Sequence, residues 1–171
     1  MIHINIVSNL DSLYGTKFQN ISIAVNLLIN SKFKIRKISN FYQTPSYPNK
    51  TLPKFINIGI LGDYKFDYFK LIKEILLIEK KIGRLKSKKN DPRVCDIDII
   101  DFKGFIKNEN LINLPHPRCH TRNFVLYPIK EIDPNWTHPV FKKNVDFLIN
   151  QLNNNSRIEI TRLRKSVIIN T

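Results

Sequence analysis

Pro92-Arg93-Val94-Cys95-Asp96-Ile97-Asp98-Ile99-Ile100 is a β-branched run entered through a proline, and residues 94–100 read as a strand. Upstream, apolar spacing predicts a helix over about 67–81, with Phe69, Ile72, Leu76 and Glu79 among its repeating positions and Gly83 as its stop. Before that helix, residues 55–61 form another strand, preceded by a loop that Pro45, Pro48 and Pro53 punctuate. Residues 33–42 are extended. From Lys17, the positions Phe18, Ile21, Ala24, Val25 and Leu28 recur at helical spacing, and residues 3–7 alternate as a first strand that ends in the turn cluster 8–12.

The order β-α-β-β-α-β that results is an α+β, ferredoxin-like arrangement, an antiparallel sheet with both helices on one face. Downstream, residues 102–114 suggest a hairpin closed by Pro115 and Pro117. Further helices near 121–131 and 140–152 can cover the other face as a three-layer α-β-α sandwich. The 171 residues suit one domain with a real core, taken as 1–155, followed by a basic tail, 156–171, that alternates enough to be a terminal strand of the same domain and reads equally as a mobile basic arm. No repeat or linker divides it.

With 42% hydrophobic residues, 5 Gly and 9 Pro, the chain is neither disordered nor collagenous. No apolar run approaches the roughly 20 residues of a membrane span, and the start Met1-Ile2-His3-Ile4-Asn5 lacks signal-peptide regions, so a cytoplasmic protein without a membrane partner is expected. The 2 cysteines, Cys95 and Cys119, form no Cys-x-x-Cys pair; Cys95 reads as a core residue. A net charge of +14 points to anionic partners without distinguishing among them, and the lysines outside the motifs read equally well as a solvated face.

On a strand, Asp96 and Asp98 share a face while Cys95, Ile97 and Ile99 share the other. Two adjacent carboxylates repel unless a cation lies between them, and hard oxygens suit Mg²⁺ held with substrate phosphates. The preceding loop carries Arg84, Lys86, Lys88, Lys89 and Arg93, basic groups of the kind that neutralise transferring phosphates and close over a nucleotide. Neither a P-loop nor a kinase glycine-rich loop is present. His3, His120 and His138 carry little signal, and Pro117 argues against a metal-binding helical pair of His116 and His120.

Taken together and in order, Ser8-Asn9-Leu10, Phe41-Tyr42-x-Thr44-Pro45, Phe55-x-Asn57, Ile78-Glu79-x-x-x-Gly83-Arg84, Pro92-Arg93-x-x-Asp96-Ile97-Asp98-Ile99, Pro115-His116-Pro117-Arg118 and Arg122-x-Phe124-Val125-Leu126 resemble the 6-hydroxymethyl-7,8-dihydropterin pyrophosphokinases of folate biosynthesis, from the first strand to Pro134. The resemblance implies the same ferredoxin-like sandwich. It also implies transfer of pyrophosphate from ATP to the pterin hydroxymethyl group with release of AMP, by a monomer that binds no nucleic acid. It assigns two Mg²⁺ ions to Asp96 and Asp98, catalytic phosphate clamps to Arg84 and Arg93, and nucleotide contacts to Glu79, Lys86, Lys89, Ile99 through its backbone, Asn113, His116 and Arg122. The pterin would meet Asn57, the rings of Phe55 and Phe124, and the segment Thr44-Pro45-Ser46.

The chain departs from the family pattern at Val7, where a glycine is usual, at Asn113, where a hydroxyl residue is often found, and at Asp101, where an apolar residue is usual. The basic loop before Pro92 is a residue shorter than in some members, with Asn90 where an aromatic can occur. Two other readings compete. One is a catalytically silent relative that retains nucleotide binding, motivated by Val7. The other is a ferredoxin-like RNA-binding module, supported by the charge and by Gly59-Ile60-Leu61-Gly62 as a GXXG-like clamp; that segment reads better as a strand end, and the sequence lacks the aromatic RNA-binding strand pattern.

Overall fold

The computed structural model describes residues 1–47, 49–84, 92–109 and 112–169. Its organising element is β1 (Ile2–Ser8), buried along its whole length. β1 pairs antiparallel with β4 (Phe55–Asp63) on one side and β5 (Asp96–Phe102) on the other. On its far edge β4 takes first β2 (Lys34–Ile38) and then β3 (Tyr42–Thr44), and β3 takes the short β8 (Thr161–Arg162). This sheet order, β5-β1-β4 followed by β2 and β3, is ferredoxin-like. A separate hairpin joins β6 (Lys107–Glu109) to β7 (Ile112–Leu114).

Strand alternation sends Ile2, Ile4 and Ile6, with Ile58, Ile60 and Ile97, into a core under α1 (Lys17–Asn30) and α2 (Tyr68–Lys81). Thr16 and Gln19 form a reciprocal capping box that starts α1, and Asp67 caps α2 through the Lys70 N–H. The opposite face is covered by α3 (Asn123–Ile132) and α4 (Val145–Gln151), which close a second core of Ile100, Leu126, Ile129, Trp136 and Leu148. The expected three layers are present. An RNA-recognition module leaves that second face open for bases, whereas here α3 and α4 cover it. Gly59 and Gly62 lie within β4 under tight packing and form no exposed clamp: a Cβ on Gly59 would meet Pro128 at 2.8 Å, and one on Gly62 would meet Phe33 at 2.4 Å.

Several elements differ from expectation. The extended stretch 33–42 is split, because Ser39 turns to the centre of β4: its Oγ accepts from the Gly59 N–H (2.9 Å), and Asn40 next to it donates twice to Glu131 (3.0 and 2.6 Å). The buried side of α2 is Tyr68, Leu71, Ile75, Ile78 and Glu79, while Phe69 and Leu76 face outward at 43% and 59% exposure. The helix is apolar on more than one stripe, and two overlapping i, i+3, i+7 series were available to the spacing argument. The helix expected over 140–152 begins only after Asn144, whose side chain accepts from the Phe147 N–H (2.8 Å). Of the tail, residues 154–158 form α5 (Asn154–Ile158) and only Thr161 and Arg162 pair as a strand. Beyond them the backbone still docks, with a Phe41 N–H to Lys165 carbonyl bond of 3.1 Å.

A β-bulge explains Asp101. Ile4 pairs with Ile99 but His3 pairs with Asp101, so Ile100 is the extra residue and the alternation of β5 shifts by one. Asp101 is thereby turned toward the α3 layer, where its carboxylate accepts from the Trp136 indole (2.9 Å) and the Gly104 N–H (2.8 Å). The histidines outside the motifs are structural in the same layer: His3 meets Asp133 at 2.9 Å, and His138 Nδ1 accepts from the Val140 and Phe141 N–H groups at 3.2 and 3.3 Å. No helix among the described residues is long and apolar enough to cross a membrane.

Candidate active site

Sheet register assembles the site. Val7 pairs with Asp96 on one side and Asn57 on the other, and Asn57 pairs with Tyr42, so Asp96, Val7, Asn57 and Tyr42 form one row across the sheet. Strands spaced about 4.8 Å apart put the Asp96 and Asn57 backbones about 10 Å from each other. The next row is Asp98, Asn5 and Gly59. There the absence of a side chain on Gly59 lets Pro128 of α3 approach the sheet, and the Asn5 amide donates to the Phe124 (3.1 Å) and Ile58 (2.9 Å) carbonyls. The start of α3, with Arg122 and Phe124, is held over the first row in this way.

Between that row and α3 lies a cavity of about 430 Å³, lined by Val7, Thr44, Pro45, Phe55, Asn57, Arg93, Asp96, Asp98, Arg122 and Phe124. Val7 is ordinary strand backbone forming its floor, which accounts for a β-branched residue at this position. Phe55 and Phe124 both line the cavity, two aromatic rings of the kind that flank a flat ligand. Asn57 is fully buried. Its Nδ2 donates to the Tyr42 carbonyl and Thr44 Oγ1, both at 3.2 Å, and its Oδ1 has no partner among the described residues. A buried amide oxygen without a donor is costly, and a ligand N–H satisfies it. Ser46 does not line the cavity; its hydroxyl donates to the Pro53 carbonyl (2.6 Å) and fixes the loop after β3.

Two local devices aim the arginines. Gly83 (φ +97°) ends α2 in a left-handed turn, with the Arg84 N–H returned to the Glu79 carbonyl at 3.0 Å. The Arg84 guanidinium thereby pairs with Glu79 and reaches Asp96 at 2.7 Å. Asn9, from the Ser8-Asn9-Leu10 turn, accepts from the Arg93 N–H (2.7 Å) and donates to the Pro53 carbonyl (3.3 Å). Arg93 then pairs with the other Asp96 oxygen at 2.6 Å.

Asp98 has weaker company. Arg122 lies 3.6 Å and His116 3.9 Å from its carboxylate, beyond direct hydrogen bonding. Burial, then the charge of Asp96, pushes its pKa up to about 6. Burial also lifts Glu79 to about 7, against the pull of Arg84, while its carboxylate accepts from the Ile97 N–H at 2.7 Å. His116 is pushed down to about 4 by burial and by Arg122 and Arg118, so it is neutral near pH 7. Hard oxygens side by side on one strand face, one of them held up by its neighbour's charge, fit a divalent cation such as Mg²⁺.

The structure therefore gathers Glu79, Arg84, Arg93, Asp96, Asp98, His116 and Arg122 at one end of the cavity and Thr44, Pro45, Phe55, Asn57 and Phe124 around the rest. It does not gather Asn113, which stands exposed on β7 opposite Asn108. The Ile99 side chain is in the core under α2, so only its backbone on β5 is left for the nucleotide role. Lys86 and Lys89 lie outside the described residues. Seven cavity residues went unread in the sequence: Tyr47, Thr121, Asn123, Asn153, Asn155, Ser156 and Glu159.

The chain is similar to known proteins along most of its length. A family model described as 7,8-dihydro-6-hydroxymethylpterin-pyrophosphokinase (HPPK) matches residues 3–134. The 2-amino-4-hydroxy-6-hydroxymethyldihydropteridine pyrophosphokinase of Aquifex aeolicus is 33% identical over 110 residues, covering 64% of this chain and 69% of that protein. Folic acid synthesis protein FOL1 of Dictyostelium discoideum is 35% identical over 73% of this chain, which spans 19% of that protein. The crystal structure of wild-type Plasmodium falciparum HPPK-DHPS with pteroate shares the fold at a TM-score of 0.70 and 14% identity, covering 94% of this chain and 47% of that one. The chain thus spans less than half the length of the last two, and with most of its length matched by the family model it belongs to the 7,8-dihydro-6-hydroxymethylpterin-pyrophosphokinase family, transferases of folate synthesis.

Proposed function

We propose that this chain transfers the β,γ-pyrophosphoryl group of ATP to the hydroxymethyl oxygen of 6-hydroxymethyl-7,8-dihydropterin, releasing AMP, in the cavity above the Asp96–Val7–Asn57 row. Family membership supports the reaction, with ATP as co-substrate. The observation that carries the location is the unpartnered, buried Asn57 Oδ1 beside two aromatic rings, one strand removed from the paired carboxylates. The pterin ring lies between Phe55 and Phe124 with its amide-like edge on Asn57, and its hydroxymethyl group points along the row toward Asp96. A monomer acting in the cytoplasm is the working form.

Asp96 and Asp98 would hold two Mg²⁺ ions, which would supply charge neutralisation and polarisation at the phosphates. Both Asp96 oxygens are engaged by Arg84 and Arg93 in this structure. The two guanidinium groups are thereby held at the end of the cavity where triphosphate charge must be met, and an arginine fork suits phosphate oxygens. Glu79 holds Arg84 in place from below. Neutral His116 and the Arg122 cation flank Asp98 on the nucleotide side, Arg122 lying 5.3 Å from the Phe124 ring centroid. Burial of the cavity floor strengthens these interactions by excluding water.

Asn57→Ala tests the location. Loss of a buried hydrogen bond of about 1–3 kcal/mol to the ligand raises the pterin KM by about tenfold to a hundredfold and leaves the ATP KM unchanged. An unaltered pterin KM removes Asn57 from the site.

A further inference from the structure

Residues 153–159 lie beyond the stretch matched by the family model, which ends at residue 134, yet they close the cavity. Asn153, Asn155, Ser156 and Glu159 all line it. The segment is tied at three points. Asn123, the first residue of α3, donates from Nδ2 to the Ser156 carbonyl at 2.6 Å. Glu159 pairs with Lys50, on the loop after β3, at 2.5 Å. Past Glu159, β8 joins the sheet opposite Tyr42 and Gln43, where Arg162 also reaches Glu131 at 3.1 Å.

Register fixes which end of the cavity this is. Across the first row the sequence is Asp96, Val7, Asn57, Tyr42, Arg162, so the segment entering β8 bounds the end away from Asp96. That is the end at which a flat ring resting on Asn57 presents the edge remote from its reacting group. Tyr47 of the same loop as Lys50 lines the cavity too. The loop and the strap therefore meet over one opening, joined there by the Lys50 cation and the Glu159 carboxylate.

Resting on the functional reading above, we propose that residues 153–159 are a strap forming the outer wall of the pterin subsite, latched by Lys50 and Glu159. The strap sets which ring substituents are admitted at the edge remote from the hydroxymethyl group and slows pterin release. The nucleotide end, across the row at Asp96, does not sense it.

The test uses the full chain with 6-hydroxymethyl-7,8-dihydropterin and a non-hydrolysable ATP analogue, reading pterin affinity and release by its fluorescence, analogue affinity by titration and the unfolding midpoint. Glu159→Ala and Lys50→Ala each release pterin about threefold faster, a size fitting one solvent-accessible ion pair, and the reversed pair Lys50→Glu with Glu159→Lys restores the wild-type rate. Asn155→Trp, which fills the cavity from the strap, weakens pterin at least about tenfold, with analogue affinity and midpoint unchanged. Wild-type pterin affinity and release in all of these variants overturns the strap while leaving the functional reading intact. A parallel loss of analogue affinity also overturns it, since the effect is then general. A wild-type chain that binds the analogue but no pterin overturns the functional reading and the strap with it.

Discussion

Asp98→Ala eliminates pterin-dependent AMP release, by about a thousandfold or more, while the protein stays folded. The loss follows from position: Asp98 is one of two hard-oxygen donors on the cavity face of β5, and charge stabilisation in a water-poor site is among the largest single contributions to a transfer reaction. The retained fold follows from the surroundings. Asp98 makes no ion pair shorter than 3.6 Å with Arg122 or His116, and burial together with the charge of Asp96 already disfavours its ionised form. Its removal costs no strong contact among the described residues, so the unfolding midpoint measured without added metal equals or exceeds that of the wild type. Asp96→Ala contrasts with it. That change removes an ion-pair partner of both Arg84 and Arg93, each within 2.7 Å of the lost carboxylate, and costs about 1–3 kcal/mol of stability in addition to activity. Calorimetry of the two variants beside an AMP assay checks the pair; equal destabilisation, or near-normal turnover in either, contradicts the assignment.

Gly59→Val destabilises the protein by about 3 kcal/mol, at the upper end of what overpacking a filled core produces. The added Cβ alone would stand 2.8 Å from Pro128 Cβ and 3.3 Å from the Pro128 backbone, and neither can move without lifting α3. Lifting α3 takes Arg122 and Phe124 off the first row, so activity of the residual folded fraction falls as well. The check is denaturant unfolding with the pterin KM measured in parallel. A variant as stable as the wild type shows that α3 does not rest on Gly59.

Much of this architecture is legible in the sequence because it is written in alternation. Ile2, Ile4, Ile6 and Ile56, Ile58, Ile60 give the strands, and the i, i+2 relation of Asp96 and Asp98 puts both carboxylates on the cavity face without any knowledge of the fold. Gly83 is readable as a helix stop, and the structure adds that its left-handed backbone turns Arg84 back toward Asp96. Other features depend on distant partners. The shift of β5 at Ile100, which gives Asp101 to Trp136, is a property of the pairing with β1, and no local pattern distinguishes it from a continuous strand. The choice between two apolar stripes on α2 is settled by packing on the sheet, where Leu71, Ile75 and Ile78 join one core with Ile4, Ile58 and Ile97. The strap escaped for a different reason: Asn153, Asn155 and Ser156 are polar residues of a kind that most often make turns, and only the docking of Ser156 on Asn123 and of Glu159 on Lys50 brings them to the cavity. Asn113 marks the opposite case, a motif position that the fold leaves on an exposed hairpin.

The most direct measurement is the product formed from ATP and Mg²⁺ by the wild-type chain, with and without 6-hydroxymethyl-7,8-dihydropterin, separated by chromatography. AMP should accumulate only with the pterin present, in equal amount to the pyrophosphorylated pterin and without ADP. A folded chain that binds ATP and Mg²⁺ but forms no AMP with the pterin contradicts pyrophosphoryl transfer and leaves a silent nucleotide-binding member of the family.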